Sequence, residues 1–413
     1  MRLPSLFGVC IALVLSGCGG DSRSTPDSLS QQGRQTVVQL EEATVEAHLK
    51  FTFNMLQQLD GDANLCFSPL SLGVALGMAL NGASGETFDA IARALGYDKL
   101  SLEPFNRQAQ QLARLLSPAD PDVQVHLANS LWVQRDFELS PQFLRALLTY
   151  YESRVETVDF RQPQAAADTI NRWVKEQTRD LIEKLFEPDA FKPETCLALV
   201  NTLYFEGKWQ HPFDRAATTE APFYLENGQT KRVPMMHLPE RRLPYLRGED
   251  FEAVALPYGK GDYQFYLFLP ANGQSITEFR KRLTPENWRK WTASFKPTPG
   301  TVRMPRFKLE ALYDLQKPLT ELGMGIAFQR GAADFTNMAD VAPGELFLDK
   351  AVQKAVVEVD EEGTKAAAAT GLTFTLTYVP TERFELVADR PFLFVIGHQP
   401  TGTVLFMGIV REP

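Results

Sequence analysis

Residues 352–394 read VQKAVVEVDEEGTKAAAATGLTFTLTYVPTERFELVADRPFLF, and this stretch decides how the rest of the chain is interpreted. It opens with apolar residues at alternate positions, a pattern typical of a β-strand. The acidic pair Glu361 and Glu362 follows, then Gly363, and then a run of alanines and threonines. A β-branched and aromatic run up to Tyr378 comes next. A tract of small residues therefore lies between two segments with strand character.

The small-residue tract has no single strong conformational preference. Alanine favours helix, threonine and valine favour strand, and glycine accepts both backbone regions. We therefore predict a segment that can hold two conformations. If it is used as a strand, alternate side chains share one face because the pleat has a period of two. The residues on that face are all small enough to enter between existing strands: Thr364, Ala366, Ala368 and Thr370.

Motifs on both sides of this tract carry a resemblance to a known family. Residues 361–364 (EEGT) with the small residues after them, and residues 386–396 (LVADRPFLFVI), resemble the hinge and the C-terminal signature of the serpins. Other blocks are similar to further parts of that family and lie at residues 67–71, 171–174, 200–209, 233–236 and 406–408. The resemblance covers roughly residues 37–413, and so many ordered motifs make chance a poor explanation.

The resemblance implies an α+β protein with an N-terminal helical bundle, a large mixed central sheet, C-terminal antiparallel sheets and an exposed reactive-centre loop. The order of local patterns agrees, because helical periodicity dominates the first half and strand patterns the second. We interpret residues 37–413 as one serpin domain. Within it, the patterns predict helices at 169–184 and 312–322 and one buried strand at 386–394.

The resemblance also implies a function. Serpins act as suicide substrates: a serine protease, or with less support a cysteine protease, attacks the loop, and the cut loop inserts into the main sheet with the acyl-enzyme attached. Such a protein is not an enzyme and needs neither catalytic residues nor a cofactor. The hinge that would insert comprises Glu361, Glu362, Gly363, Thr364, Ala366, Ala367, Ala368, Ala369 and Thr370.

Counting along the family pattern places the reactive bond. The family's acid that matches Glu361 lies seventeen positions from that bond, which makes Thr377 the residue on its acyl side and Tyr378 the next. A slip of one residue would bring Leu376 or Val379 to the bond. Thr377 suits an elastase-like pocket, whereas Leu376 or Tyr378 suits a chymotrypsin-like one. A trypsin-like target is disfavoured because this part of the loop has no arginine or lysine.

Two internal sites follow from the same resemblance. Trp209 matches the breach at the top of the main sheet, and a buried shutter network is matched by Ser68, Ser71, Asn201 and Gln353. Gln353 stands where many members carry a histidine, and glutamine can both donate and accept hydrogen bonds. An alternative stays open for the two serines, which could be plain helix caps.

The N-terminus predicts export. A short positive start and an apolar run precede Leu15-Ser16-Gly17-Cys18, which resembles a bacterial lipobox. We expect residues 1–17 to be a signal peptide, Cys18 to carry the lipid, and 18–36 to be a flexible tether. The domain would then be anchored to a bacterial membrane, in the periplasm or on the cell surface. An ordinary secretory signal with an incidental cysteine is the alternative.

Composition excludes several other functions. A net charge of −9 argues against nucleic acid as a partner, and the short basic clusters predict no polyanion cofactor. The five histidines lack metal-ligand spacing, and no serine nucleophile motif is complete. We expect a monomer, and we expect Cys66 and Cys196 to be thiols in the core.

Two rival functions remain. A non-inhibitory serpin, acting as a binding or chaperone-like protein, would be expected to carry bulky, charged or proline residues at the inward hinge positions, and this chain has small ones. A solute-binding lipoprotein would be expected to alternate strands and helices around a parallel sheet, and the patterns here do not. We therefore favour the inhibitory interpretation.

Overall fold

The computed structural model of the chain describes residues 7–11, 40–59, 61, 63–117, 120–363 and 383–413. Most of the helices in this part lie in the first half of the chain. We number them α1 to α9: Glu42–Gln58, Pro69–Leu80, Gly85–Ala94, Leu102–Leu115, Pro141–Tyr150, Pro163–Gln177, Ile276–Arg280, Pro285–Thr292 and Gln316–Leu319. Short 3₁₀ turns and one π-helical turn at Thr320–Met324 complete the helical structure of the described residues.

Strands dominate the second half. In chain order, the strands β1 to β15 of the described residues are Phe7–Ile11, Leu65–Phe67, Val123–Gln134, Arg154–Val158, Leu197–Gly207, Thr219–Tyr224, Thr230–Arg247, Phe251–Tyr258, Tyr263–Pro270, Lys296–Pro305, Phe307–Asp314, Val352–Val359, Phe384–Val387, Phe392–His398 and Thr403–Val410.

These strands form two sheets. The central sheet has the order β11-β12-β1-β5-β3-β4, and it is mixed because β3 and β4 are parallel while the other neighbours are antiparallel. The second sheet has the order β13-β10-β7-β8-β9-β14-β15-β2, with β6 paired to β7. The predicted C-terminal sheets are thus one continuous sheet, and it contains one parallel pair, β10 with β13.

Two hydrophobic cores hold the layers together. One lies on the helical side of the central sheet and the other between the two sheets. Helix α2 contacts strands of both sheets, β5 and β15. Most of its side chains are buried, as expected for a helix that is apolar on nearly every face. Ser68 starts this helix, since its hydroxyl accepts a hydrogen bond of 3.1 Å from the backbone N–H of Ser71.

Three predicted elements have different bounds in the structure. The helix predicted at 312–322 begins later than predicted: residues up to Asp314 form β11, which pairs with β12, and the helical structure comprises Gln316–Leu319 and the π-helical turn Thr320–Met324. The helix predicted at 169–184 begins earlier and ends at Gln177, where Arg179 and Asp180 adopt positive φ. The single strand predicted at 386–394 is two strands, β13 and β14, separated by residues 388–391.

The first strand is a feature that the sequence did not predict. Residues Phe7–Ile11 fall within the apolar run interpreted as part of a signal peptide, and in the structure of the full chain they form β1 in the middle of the central sheet. Their backbone pairs with β5 on one side and with β12 on the other. Removal of residues 1–17 on export stays a prediction, and the structure shows where part of this segment lies when it is retained.

Cys66 and Cys196, the two cysteines in the domain from residue 37 onward, are both unpaired. Cys66 on β2 is fully buried, and burial raises the pKa of its thiol. Cys196 is only partly buried, so the prediction of a core thiol is wrong for this residue. It lies just before β5, at the surface end of that strand.

Among the described residues, the structure has no helix that is both long and apolar enough to cross a bilayer.

Candidate inhibitory site in the central sheet

The hinge begins with a tight turn at the end of β12. Asp360 and Gly363 form an isolated antiparallel bridge, and the backbone N–H of Glu362 donates to the carboxylate of Asp360 at 2.9 Å. Gly363 has φ +78°, and a Cβ at this position would lie 2.4 Å from the backbone nitrogen of Trp209. Any other residue at 363 would therefore be strained, so the glycine fixes the direction in which the chain leaves β12.

Glu361 is the most deeply buried acidic group of the turn, with 1% of its surface exposed. Its carboxylate accepts hydrogen bonds from the guanidinium of Arg306 at 2.5 Å and from the hydroxyl of Thr218 at 2.6 Å. Its backbone carbonyl accepts from the N–H of Phe213 at 2.8 Å. Burial alone would raise the pKa of Glu361, but its hydrogen bonds and the charge of Arg306 together outweigh burial and hold the pKa below its usual value. Glu361, the first hinge residue, is therefore ionised at neutral pH and is held in place by these hydrogen bonds.

Trp209 closes the top of the central sheet over this turn. Its indole N–H donates to the carbonyl of Asp360 at 2.9 Å, and its backbone N–H donates to the carbonyl of Glu362 at 3.1 Å. The ring stacks on Tyr258, with centroids 4.4 Å apart. The structure therefore brings the predicted breach residue into direct contact with the start of the hinge.

The strands next to the hinge define a slot in the central sheet. We use the term slot for the space between β5 and β12, which β1 occupies in the full chain. β1 pairs Phe7–Ile11 with residues 205–201 of β5, and residues 8–10 with residues 356–354 of β12. It is antiparallel to both neighbours.

The four predicted shutter residues form one hydrogen-bonded network at the start of α2. The backbone N–H of Ser68 donates to the side-chain oxygen of Gln353 at 3.1 Å, and the Gln353 amide donates back to the Ser68 carbonyl at 2.9 Å. The hydroxyl of Ser71 donates to the side-chain oxygen of Asn201. All four residues are fully buried. Because Ser68 also caps Ser71, the cap role and the network role exist together.

A further member of this network was missed from the sequence. The amide of Asn201 donates to the side-chain oxygen of Asn129 at 2.7 Å, and the Asn129 amide donates to the carbonyl of Tyr151 at 2.7 Å. Asn129 lies directly opposite Asn201 in the pairing of β3 with β5. Strand alternation hints at an inward polar residue here, but the pairing register is needed to identify its partner. The network thus connects the slot to the strand beyond it.

Several predicted residues lie outside the described part of the chain. These are most of the hinge, the whole reactive-bond region and the lipidation cysteine, namely Thr364, Ala366, Ala367, Ala368, Ala369, Thr370, Leu376, Thr377, Tyr378, Val379 and Cys18.

The described chain resumes at Arg383, which forms an ion pair with Glu240 at 2.9 Å. Phe384 then stacks on Tyr245, with centroids 4.2 Å apart. The two ends of the loop are therefore fixed on different sheets.

Two histidines serve the fold of the second sheet. The imidazole of His48 lies 3.0 Å from the backbone nitrogen and 3.1 Å from the carbonyl of Val404. Burial lowers its pKa to about 4, so it is neutral at pH 7. His398 is also buried, contacts Thr401 at 2.9 Å, and has its pKa lowered to about 4 by burial. The residues that the structure describes contain no cluster of three metal-ligating side chains.

Comparison with known proteins agrees with this arrangement. The family model described as serpin (serine protease inhibitor) matches residues 46–413. "Leukocyte elastase inhibitor" of Bos taurus is 36% identical over 371 residues, covering 87% of this chain and 96% of that protein. "Serpin B12" of Homo sapiens is 33% identical over 412 residues, covering 90% of this chain and 100% of that protein.

Solved structures give the same result. The thermophilic serpin tengpin in its native state matches with a TM-score of 0.81 and 28% identity, over 93% of this chain and 96% of that one. Cleaved serpin 42Da matches with a TM-score of 0.80 and 31% identity, over 90% of this chain and 99% of that one. The family match, the relatives and the slot beside an anchored hinge agree, and the chain belongs to the serpin family.

Proposed function

We propose that the chain inhibits serine proteases as a suicide substrate, by covalent trapping followed by insertion of its reactive loop into the central sheet. The observation that carries this proposal is the anchored turn at Glu361–Gly363, which lies at the end of β12 and directly precedes the small-residue hinge in the sequence. The family description and the relatives named as elastase inhibitors support it. The chain acts as an inhibitor and not as an enzyme.

The chemical step belongs to the protease. Its serine oxygen attacks the carbonyl carbon of Thr377, and the bond from that carbon to the nitrogen of Tyr378 breaks. The protease histidine delivers the proton that the new amino terminus takes up, and an ester joins Thr377 to the enzyme. Normally water would then attack this ester. Insertion must come first if the inhibitor is to succeed.

Insertion would move the bound protease far enough to distort its active site. About fifteen hinge and loop residues at about 3.3 Å each would carry the ester on the order of 50 Å along the sheet. Deacylation needs an aligned triad and an oxyanion hole, so distortion of the enzyme at the far end traps the ester. In this proposal the rigid parts are β5, β12 and the shutter residues, while the hinge supplies small side chains that fit between them.

The target class follows from the residue at the bond. We propose an elastase-like protease because Thr377 is small, and the names of the bovine, equine and porcine relatives are consistent with this. A chymotrypsin-like protease becomes the target if the bond is shifted so that Leu376 or Tyr378 fills the specificity pocket. A cysteine protease is the second class of target that the same loop could trap.

We further propose that the processed chain acts outside the cytoplasm. Residues 1–17 would be removed and Cys18 lipidated, and 18–36 would tether the inhibitory domain, as a monomer, to a bacterial membrane. The Leu15–Cys18 motif supports this proposal. A secreted form without a lipid would result if the N-terminus is an ordinary signal peptide.

The test is covalent trapping by the chain from Val37 onward. The chain is incubated with an elastase-type and, separately, a chymotrypsin-type protease, then run on a denaturing gel, with mass spectrometry of the released C-terminal fragment. The expected result is a complex that survives denaturant and a fragment beginning at Tyr378. Cleavage without a complex, together with no rise in thermal stability of the cut chain, would instead favour a non-inhibitory serpin.

A further inference from the structure

We propose that the N-terminal segment of the unprocessed chain is an internal inhibitor of loop insertion, and that its removal on export switches the protein to its active form. This inference rests on the proposed function, and it adds a form of regulation to it. It is carried by β1, the strand Phe7–Ile11 that occupies the slot in the full chain.

The segment and the hinge compete for the same backbone partners. Gly8 and Cys10 lie opposite Val356 and Lys354 of β12, respectively. A hinge that continued the Asp360–Gly363 pairing would place Ala367 and Ala369 at those two positions. Because one strand edge can pair with only one neighbour, β1 must leave before the hinge can fill the slot.

The other side of the slot leads to the same conclusion. β1 pairs with residues 201–205 of β5, from Ile11 opposite Asn201 to Phe7 opposite Phe205. It therefore joins β5 to β12 and makes the central sheet continuous across the six strands of the described residues. The segment also contacts α2, the helix whose first turn carries the shutter serines. The full chain thus has a filled sheet while its loop is uncut.

The chain is long enough for the segment to reach the slot from its own N-terminus. Residues 12–41 join β1 to α1, and thirty residues can span up to about 100 Å when extended. A tethered segment acts at an effective concentration that can reach the order of millimolar. A strand of five residues can therefore occupy the slot even if its intrinsic affinity is weak.

The segment should delay insertion and not abolish it. β1 contributes five residues, whereas an inserting loop of about fifteen residues would form a longer ladder on both sides. Cleavage of the loop makes that longer ladder available, so the loop can displace β1. If displacement is slower than deacylation, the protease escapes and the chain is cut as an ordinary substrate. Removal of residues 1–17 would eliminate this delay.

Occupancy of the slot can be tested in the full chain with a cysteine that is already present. Cys10 lies opposite Lys354, and opposed Cα atoms in an antiparallel pair are about 4.5–5.5 Å apart, which suits a disulfide. Lys354→Cys should therefore form a disulfide with Cys10 under mild oxidation. The matched control is Glu358→Cys, on the same face of the same strand but about 13 Å further along it. Peptide mapping by mass spectrometry would identify the bond.

The regulatory role is tested by trapping rates. Val9→Pro in the full chain removes a backbone donor from β1 and should release it, whereas Val14→Pro lies beyond that strand and serves as the control. We expect Val9→Pro to form the covalent protease complex about tenfold faster than the control, as a shift of about 1.4 kcal/mol in slot occupancy would give. The oxidised Lys354→Cys chain should be cleaved without forming a complex, and a reductant should restore trapping.

The possible outcomes separate this inference from the function on which it rests. A disulfide that forms equally at positions 354 and 358, or at neither, would overturn the occupancy of the slot. Equal trapping rates for Val9→Pro and Val14→Pro would overturn the regulatory role. If no variant traps a protease, and the chain from Val37 also fails, the proposed function is wrong. In that case a selective disulfide, with a lower Tm for Val9→Pro than for Val14→Pro, would still support β1 as a stabilising strand.

Discussion

The guanidinium of Arg306 donates a hydrogen bond of 2.5 Å to the carboxylate of Glu361. The two partners lie in different environments, because the carboxylate is buried whereas the arginine side chain is 47% exposed. The arginine follows β10 and the acid follows β12, so their contact ties the second sheet to the start of the hinge. This contact therefore holds the first residue of the hinge against the rest of the protein.

Replacing Glu361 by lysine should destabilise the native chain strongly. The new ammonium would be buried next to Arg306, and an unpaired buried charge costs about 3–5 kcal/mol. The control is Glu362→Lys, because the side chain of Glu362 is 25% exposed against 1% for Glu361, and its partner Arg215 is 62% exposed; we expect a loss of about 1 kcal/mol there. Denaturant unfolding of the two variants would measure the difference, and equal losses would contradict a special role for Glu361.

The same carboxylate predicts acid sensitivity. The pKa of Glu361 is lower in the folded chain than its usual value of 4.5, because its hydrogen bonds outweigh burial. Its contribution to the free energy of unfolding is therefore fully present above pH 4.5 and is lost as pH falls through the lowered pKa. Glu361→Gln should be less stable than the wild type at pH 7, and the gap should narrow below pH 4.5. Unfolding midpoints between pH 7 and pH 3 would show whether it does.

Buried histidine predicts a second, separate pH window. The pKa of His48 falls from 6.5 to about 4 on folding because of burial. The unfolded chain thus binds a proton between these values that the folded chain does not, so stability falls as pH drops from about 6.5 to 4. The full effect is on the order of 3 kcal/mol for this one group. His48→Gln should make the dependence of Tm on pH shallower in this window, and an unchanged slope would refute the assignment.

Local sequence patterns were sufficient to predict the strand before the hinge and the start of α2. Alternating apolar residues predicted the strand that is β12, and Ser68 before Pro69 is a local cap signal. These features depend on neighbours in the chain. The resemblance then allowed Asn201 and Gln353 to be predicted as partners of the α2 serines, although they lie more than a hundred residues away.

Pairings set by the tertiary fold were not predictable in this way. Thr218 and Arg306 reach Glu361 only because different strands meet at the top of the slot. Leu312 lies at a helical spacing from the leucines after it, yet pairing with β12 makes it part of a strand. The segment Phe7–Ile11 is apolar enough for a signal peptide and, for the same reason, able to serve as a buried strand.

Gln353, which lies on the β12 side of the slot, should contribute strongly to the free energy of unfolding. Gln353→Ala would leave the buried N–H of Ser68 without its partner, whereas the Ser68 carbonyl would still accept from the N–H of Leu72. Such losses cost about 1–3 kcal/mol for each unsatisfied group. The neighbouring Lys354→Ala removes only an ion pair with Glu310, which is 56% exposed, and should cost about 1 kcal/mol or less. Thermal unfolding of both variants would test this, and a small change for Gln353→Ala would mean that water replaces the amide.

The last prediction separates insertion from cleavage. Thr364→Arg places a charge at the first inward position of the hinge, and burying it in the sheet should cost several kcal/mol. Lys365→Glu changes a charge one residue later, on the opposite face of the inserted strand, where solvent remains accessible. In the chain from Val37 onward, we expect Thr364→Arg to be cut at a normal rate but to form at least about tenfold less covalent complex for each cleavage. Lys365→Glu should trap the protease as the wild type does. If both variants trap it equally, insertion does not begin at Thr364, and the register derived from Asp360 and Gly363 must be shifted.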